Sequence, residues 1–101
     1  MDKKPIIKVF FARPTEAYYN VSEEKRKEAV DLNEKNKKEL GIKTIVTCNS
    51  YWGNEEWEEF GVEEYPDIEA VQKHAEFLLK REWPKYIISK TYLGTQWATS
   101  E

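Results

Sequence analysis

The residues that could carry chemistry are few in this sequence. His74 is the sole histidine, and its neutral imidazole could face a cleft and act as a general acid or base. Arg13 closes an apolar run, where its forked donors could hold a carboxylate or an enolate. The alternatives are a partly buried structural histidine and a surface salt bridge. No sequence motif is typical of a particular reaction, so the sequence leaves open whether the protein is an enzyme.

Two adjacent glutamates and one cysteine are weaker candidates. Glu63 and Glu64 point to opposite faces of a predicted strand, so one of them could be buried, with a raised pKa, and accept a proton. Exposure to solvent near the strand end is the alternative for both. Cys48 lies in an apolar strand without a helix N-terminus or a fixed basic neighbour, so we expect a small core residue rather than a nucleophile.

Aromatic residues are more numerous than one small core easily hides, at 14% of the chain. Tyrosine and tryptophan combine an apolar body with a polar tip, which suits a pocket or an interface equally well. Four of them fall near strand ends and in loops, where pocket mouths tend to lie. We therefore predict a ligand-binding role for Tyr18, Tyr19, Tyr51 and Trp52, with packing in a dimer seam as the alternative.

Composition excludes several classes of function. The 101 residues fit one domain, 1–101, and the net charge of −3 argues against binding to nucleic acid or to an anionic membrane surface. One histidine and one cysteine cannot fill a zinc site, and the four scattered glycines form no phosphate cradle. No apolar run approaches a bilayer span, and the N-terminus lacks the core of a signal peptide. We expect a cytoplasmic protein with neither metal nor cofactor.

Six elements must position these residues. Apolar and β-branched runs predict strands, and capped stretches without Gly or Pro predict helices, with Ser22 and Asp67 as the N-caps. Pro84 ends the second helix, and Gly61 marks a bulge or a close approach inside the third strand. Trp97 lies in a polar tail and is expected to dock against another surface. The predicted strands are 6–12, 42–51, 57–65 and 86–93, and the predicted helices are 21–40 and 68–83.

Apolar spacing predicts which helix faces are buried. The first helix has a narrow stripe and the second a broader one that includes Phe77. In the third strand, Phe60 and Val62 share one face, and Trp57 lies on the other with the odd-numbered residues. The two predicted stripes are Val21, Ala29, Leu32 and Leu40, and Ile68, Val71, Ala75, Leu78 and Leu79.

The order β-α-β-β-α-β is that of the split βαβ, ferredoxin-like fold, an α+β class. Such a fold puts two helices on one face of a four-stranded antiparallel sheet and leaves the other face open. Because the strands carry apolar residues on both faces, an uncovered face would be an unusually large exposed patch. We therefore expect a homodimer that packs sheet against sheet.

The element order, with the segment 60–71 reading FGVEEYPDIEAV, resembles the dimeric α+β barrel superfamily. In that superfamily an aromatic ends the third strand and a short turn leads into the second helix. The resemblance implies a homodimer with a ligand cleft between sheet and helices. Its members include cofactor-independent monooxygenases of the antibiotic-biosynthesis type, muconolactone-isomerase-like enzymes, haem-degrading monooxygenases and many uncharacterised proteins.

The resemblance also suggests roles for particular residues. In the haem-degrading branch, His74 and Tyr65 would match the iron ligand and the aromatic of the third strand, but the asparagine after the first strand is missing, since this region reads Phe11-Ala12-Arg13. Three hypotheses follow. The first is a small, aromatic-compatible ligand bound in the cleft. The second is a cofactor-independent monooxygenase or isomerase, with His74 as base and Arg13 or Tyr65 stabilising the anion. The third is a structural or interaction protein.

Overall fold

A four-stranded antiparallel sheet in the order β2-β3-β1-β4 forms the framework of the protein. The computed structural model describes residues 4–97. This strand order and the two long helices give the α+β, ferredoxin-like fold that the sequence predicts. The elements are β1 (Ile6–Pro14), α1 (Glu16–Tyr19), α2 (Glu23–Glu39), β2 (Lys43–Asn49), β3 (Glu59–Tyr65), α3 (Ile68–Lys80), α4 (Trp83–Tyr86) and β4 (Ile87–Gly94).

Local signals set the ends of the long helices. The Ser22 side chain accepts a hydrogen bond from the Lys25 backbone N–H at 3.2 Å, and Asp67 accepts one from Ala70 at 2.9 Å, so both predicted N-caps are confirmed. Gly41 follows the α2 C-cap with a φ of 77°, a left-handed conformation that glycine adopts at little cost.

The third strand depends on a glycine. A Cβ at Gly61 would lie 2.7 Å from both the Phe10 ring and the Val46 carbonyl oxygen, so neighbouring groups occupy the space that a side chain needs. This confirms the close approach predicted at this position. The β2–β3 pairing also shifts register between Thr44 and Val46, which places an irregularity in the edge strand.

The two short helices were not predicted, and they change the ends of their neighbours. Pro84 does not end α3, which stops at Lys80. It lies instead in the first turn of α4, where a proline is tolerated because no helical donor is lost. Between the two helices, Glu82 takes a left-handed conformation with a φ of 57°.

The buried faces of the long helices match the predicted stripes only in part: Leu40 and Val71 pack against the core as expected, but other positions differ. On α3 the buried residues are Ala70 and His74, whereas Ile68, Ala75 and Leu79 are exposed. On α2 the buried residue is Lys37, and Leu32 is exposed. Polar side chains face inward on both helices: Lys37 of α2 bonds to Glu63 and Thr44 of the sheet, whereas His74 of α3 bonds to Asn36 of α2.

Two tryptophans also lie elsewhere than expected. Trp57 precedes β3, and its ring lies 6.1 Å from that of Phe11, so it belongs with the face that carries Phe60 and not with the helix side. Trp97 is 90% exposed and does not pack within this chain. The end of the predicted tail, 98–101, lies outside the described residues.

Candidate functional site

A cleft of about 860 Å³ lies between the sheet and the helices. Alternation along the strands brings Lys8 and Phe10 of β1 and Glu59 and Glu63 of β3 to this side of the sheet. The cleft is lined by residues of all four strands and of α1 to α4. Ligand sites in proteins are typically clefts of this size.

The floor of the cleft holds a buried group of charges. Lys37 of α2 donates to Glu63 Oε2 at 2.7 Å and to Thr44 Oγ1 at 2.6 Å, and the side chains of Lys37 and Glu63 are both less than a tenth exposed. Lys8 Nζ lies farther from the same carboxylate, at 3.8 Å from Oε1. The Tyr65 hydroxyl donates to Oε1 at 3.0 Å. Lys37 also pairs with the mostly exposed Glu34 at 3.5 Å, so the buried carboxylate that the two lysines share is that of Glu63.

Burial and charge determine the protonation of this group. Burial alone would raise the pKa of Glu63, but the hydrogen bond and charge of Lys37, together with Lys8, hold it below its usual value. Burial lowers the pKa of Lys8, and the positive charge of Lys37 adds to that effect while Glu63 opposes it. Burial and the nearby Glu63 carboxylate raise the pKa of Tyr65, so its hydroxyl stays protonated.

His74 lies beside this group and is only 3% exposed. Its Nδ1–H donates to Asn36 Oδ1 at 2.9 Å, and its ring stacks on Phe77 and lies 6.2 Å from the ring of Tyr65. Burial, reinforced by Lys8, lowers the pKa of His74 to about 4, with Glu63 opposing. The imidazole is therefore neutral near pH 7, and Nε2 is left as its hydrogen-bond acceptor.

Of the three residues predicted as catalytic, His74 and Tyr65 lie together. Tyr65 is 1% exposed and binds Glu63 at the floor, whereas His74 lines the cleft. Arg13 also borders the cleft, but its guanidinium carbon lies 5.1 Å from the centre of the Trp57 ring and it donates to the Glu56 carbonyl at 3.2 Å. Its charged group is thus held by the loop between β2 and β3.

Of the four residues predicted to bind ligand, three line the cleft. Tyr18 and Tyr19 reach it from α1, and Tyr51 reaches it from the loop after β2. Trp52 is 86% exposed and does not line it, whereas Trp83 of α4 does. The ligand-binding role of the four residues stays a prediction.

The remaining candidates take ordinary positions. Glu63 is buried on the helix side and Glu64 lies on the opposite face, so the alternation predicted for this pair is confirmed. The raised pKa predicted for a buried glutamate is wrong, because the lysines beside Glu63 outweigh the effect of burial and lower its pKa. Cys48 is half-buried and borders the cleft, so it is not the core residue that the sequence predicts. Within residues 4–97, no three potential ligands are grouped in a way that could hold a metal ion.

Sequence reasoning missed the lysines and asparagines of the cleft. Lys8 interrupts an apolar run and alternates with Phe10 and Ala12, which places it on the helix side of β1. Asn33 and Lys37 are one helical turn apart on α2. These spacings can be read from the sequence, but apolar periodicity alone does not identify polar residues that face inward.

The comparisons with known proteins bear on the fold. A crystal structure described as that of methylated RPA0582 protein superposes with a TM-score of 0.67 at 17% sequence identity, covering 98% of this chain and 85% of that chain. At this identity the similarity supports the ferredoxin-like fold alone. No protein-family model and no curated protein matches the sequence. Among residues 4–97, no helix is long and apolar enough to cross a membrane.

Proposed function

We propose that this protein is a homodimeric member of the dimeric α+β barrel superfamily that binds a small organic ligand in its cleft. One observation carries the proposal: the cleft has a buried charged floor beneath aromatic walls. A cavity with mostly fixed walls and a few convergent polar groups is the usual form of a ligand site.

The walls favour a ligand with a planar, partly apolar body. Tyr18 and Tyr19 lie edge to face with their centroids 5.5 Å apart, and Tyr51 and Trp83 contribute further aromatic surface to the same cleft. Aromatic rings present large contact areas and lose little conformational entropy on binding. This composition supports an aromatic-compatible ligand.

The homodimer is supported by the face of the sheet that the helices do not cover. The strand pairings align Val46, Val62, Val9 and Tyr92 in one row across this face, and Phe60 pairs with Phe11 in the next row. Val46, Phe60 and Tyr92 are exposed in the single chain. An apolar patch of this extent is typical of an interface.

A binding experiment tests the cleft directly. We expect small aromatic compounds, screened as neutral, anionic and cationic sets, to give saturable ¹H–¹⁵N chemical-shift changes at Lys8, His74 and the Trp83 indole. Ser89 lines the cleft, and its neighbour Ile88 points to the other face of the sheet. Ser89→Phe should therefore abolish binding, whereas Ile88→Phe should leave it intact.

A negative result in this experiment would rule out ligand binding in the cleft. If no set of compounds shifts the cleft resonances, or if Ser89→Phe binds like the unaltered protein, the cleft is not a ligand site. A stable dimer without ligand binding would then favour the third hypothesis, a structural or interaction protein.

A second candidate function is proton transfer without a cofactor, as in a monooxygenase or isomerase. The observation that favours it is the neutral His74, held through Nδ1 by Asn36 so that Nε2 can accept a proton. Because the Arg13 guanidinium is engaged with Trp57, Lys8 is the cation better placed to stabilise a developing anion. The test is deuterium exchange at the acidic C–H of a bound carbon acid. If the carbon acid exchanges deuterium as fast with His74→Gln as with the unaltered protein, the proposal fails.

A further inference from the structure

We infer that the ligand of the cleft carries an anionic group, such as a carboxylate, which pairs with Lys8. The inference rests on the proposed function and specifies the class of ligand. It is drawn from the balance of charges on the cleft floor, where the buried carboxylate of Glu63 lies between two lysines, and the more exposed Glu34 pairs with Lys37 and not with Lys8.

The first step concerns how Glu63 is shared. Its Oε2 lies 2.7 Å from Lys37 Nζ, whereas Lys8 Nζ is 3.8 Å from Oε1. The same Oε1 also accepts from the Tyr65 hydroxyl at 3.0 Å. Lys37 is therefore the main partner of Glu63, and Lys8 is left with a longer, shared contact.

The second step concerns the other groups that Lys8 faces. From β3 these are Glu63 and Tyr65, from α2 Lys37 and from α3 His74. The Tyr65 hydroxyl lies 3.4 Å away, at the limit of a hydrogen bond, and His74 is neutral near pH 7. Within residues 4–97, Glu63 is the only carboxylate within 4 Å of Lys8 Nζ.

The third step concerns the energetic cost of burying the Lys8 cation and whether a ligand can reach it. The Lys8 side chain is only 18% exposed, and a cation that has lost most of its water without a close counter-ion is destabilised. The lowered pKa of Lys8 agrees with this deficit. Because Lys8 lines the cleft, an anion bound there would supply the missing partner and make a charge-assisted hydrogen bond.

The fourth step concerns the rest of the ligand. Glu59 lies on the same face of β3, four residues from Glu63 and so about 13 Å along the strand, and it lines the cleft with Glu58. Asn33 also lines the cleft, and its Oδ1 is a buried acceptor without a hydrogen-bond partner. Besides Lys8 the cleft thus offers hydrogen-bond acceptors, so the ligand should carry a donor such as a hydroxyl as well as its anionic group.

The experiment compares 4-hydroxybenzoate with its neutral isostere 4-hydroxybenzamide and with the cation 4-hydroxybenzylamine, each followed by ¹H–¹⁵N shifts and calorimetry. We expect the carboxylate to bind at least tenfold more tightly than the amide. Lys8→Met should remove that difference, and Lys8→Arg should keep most of it. Lys90→Met is the control, since Lys90 lies over Tyr92 on the opposite face of the sheet.

The outcomes separate the two proposals. Equal binding of carboxylate and amide, tighter binding of the amine, or an unchanged preference in Lys8→Met would overturn the anionic ligand and leave the cleft as a binding site. If none of the three probes, and no compound of the broader screen, shifts the cleft resonances, both proposals fail. The ¹H–¹⁵N spectrum of Lys8→Met shows whether that variant is folded, and Lys8→Arg shows whether the positive charge is sufficient for the preference.

Discussion

His74 links the protonation of the cleft to the stability of the fold. Its imidazole is buried between Phe77 and Tyr65 and holds Asn36 through Nδ1. Protonation would place a third positive charge beside Lys8 and Lys37, where water cannot screen it. The folded protein therefore binds this proton less readily than the unfolded chain does.

We predict that acid weakens the fold through this residue. The pKa of His74 falls from 6.5 in the unfolded chain to about 4 in the folded protein. The neutral imidazole therefore makes its full contribution to the free energy of unfolding above pH 6.5, and this contribution is lost as the pH falls toward 4. Between pH 7.5 and pH 5 the free energy of unfolding should drop by about 2 kcal/mol on this account.

Urea unfolding at the two pH values measures this drop, and His74→Gln provides the control because glutamine does not titrate. The variant should lose about 2 kcal/mol less than the unaltered protein over the same interval. An NMR titration of His74 with a midpoint near 6.5 would contradict the prediction.

At the scale of elements, the Lys37 side chain joins α2 to two strands of the sheet. Lys37 reaches from the helix to Glu63 of β3 and Thr44 of β2, and the inward face of α2 is otherwise formed largely by polar side chains such as Asn33 and Asn36. The helix thus depends on hydrogen bonds where most amphipathic helices depend on apolar burial.

We predict that Lys37→Met lowers the free energy of unfolding by about 3 kcal/mol. The substitution leaves the buried Glu63 with the neutral Tyr65 hydroxyl and the more distant Lys8 as partners, and it deprives Thr44 of the Lys37 donor. Lys38→Met is the matched control: its side chain is exposed on the same helix, and the change should cost less than about 0.5 kcal/mol. Chemical denaturation of both variants measures the difference. Equal costs would show that the contact does not stabilise the fold.

The element scale also shows what the sequence could predict. The order of the strands and long helices along the chain, both N-caps and the close approach at Gly61 followed from local chemistry, because capping residues and glycines act within a few positions. The inward-facing polar residues of α2 and α3 did not follow, because their burial depends on partners distant in sequence, such as Asn36 for His74 and Glu63 for Lys37. Apolar periodicity alone predicts that such polar residues are exposed to solvent, although they face inward in the structure.

The candidate site could be predicted only in part for the same reason. His74 was the natural choice as the sole histidine, and Tyr65 followed from the resemblance. The contacts of Lys8 and Lys37 with Glu63 could not be predicted, because they join β1, α2 and β3, which are distant in sequence. The engagement of Arg13 by Trp57 likewise depends on the fold of the loop between β2 and β3.

At the scale of the whole molecule, the sheet has one face covered by helices and one that is open. The open face carries Val46, Phe60 and Tyr92 exposed in the single chain, and its centre is formed by Val9 and Val62. Burying such a face between two copies would remove a large apolar surface from water. This is the physical basis for the proposed homodimer.

We predict that light scattering gives twice the chain mass of 12.0 kDa and that Tyr92→Glu gives the monomer mass, because a carboxylate in the apolar seam would lose its hydration. Leu79→Glu is the control: Leu79 is exposed on α3, away from the open face, and the variant should remain dimeric. A monomeric unaltered protein, or a Tyr92→Glu variant that stays dimeric, would contradict the proposed interface.

The register shift between Thr44 and Val46 has a consequence for how copies can meet. A straight edge strand presents an unbroken row of amide and carbonyl groups that can template a strand from another molecule. In β2 the irregularity interrupts that row, so endless side-by-side growth of the sheet into fibrils is discouraged at this edge. In the proposed homodimer, association through the open face stops at two copies, so the irregular edge of β2 would favour a finite assembly over an aggregate.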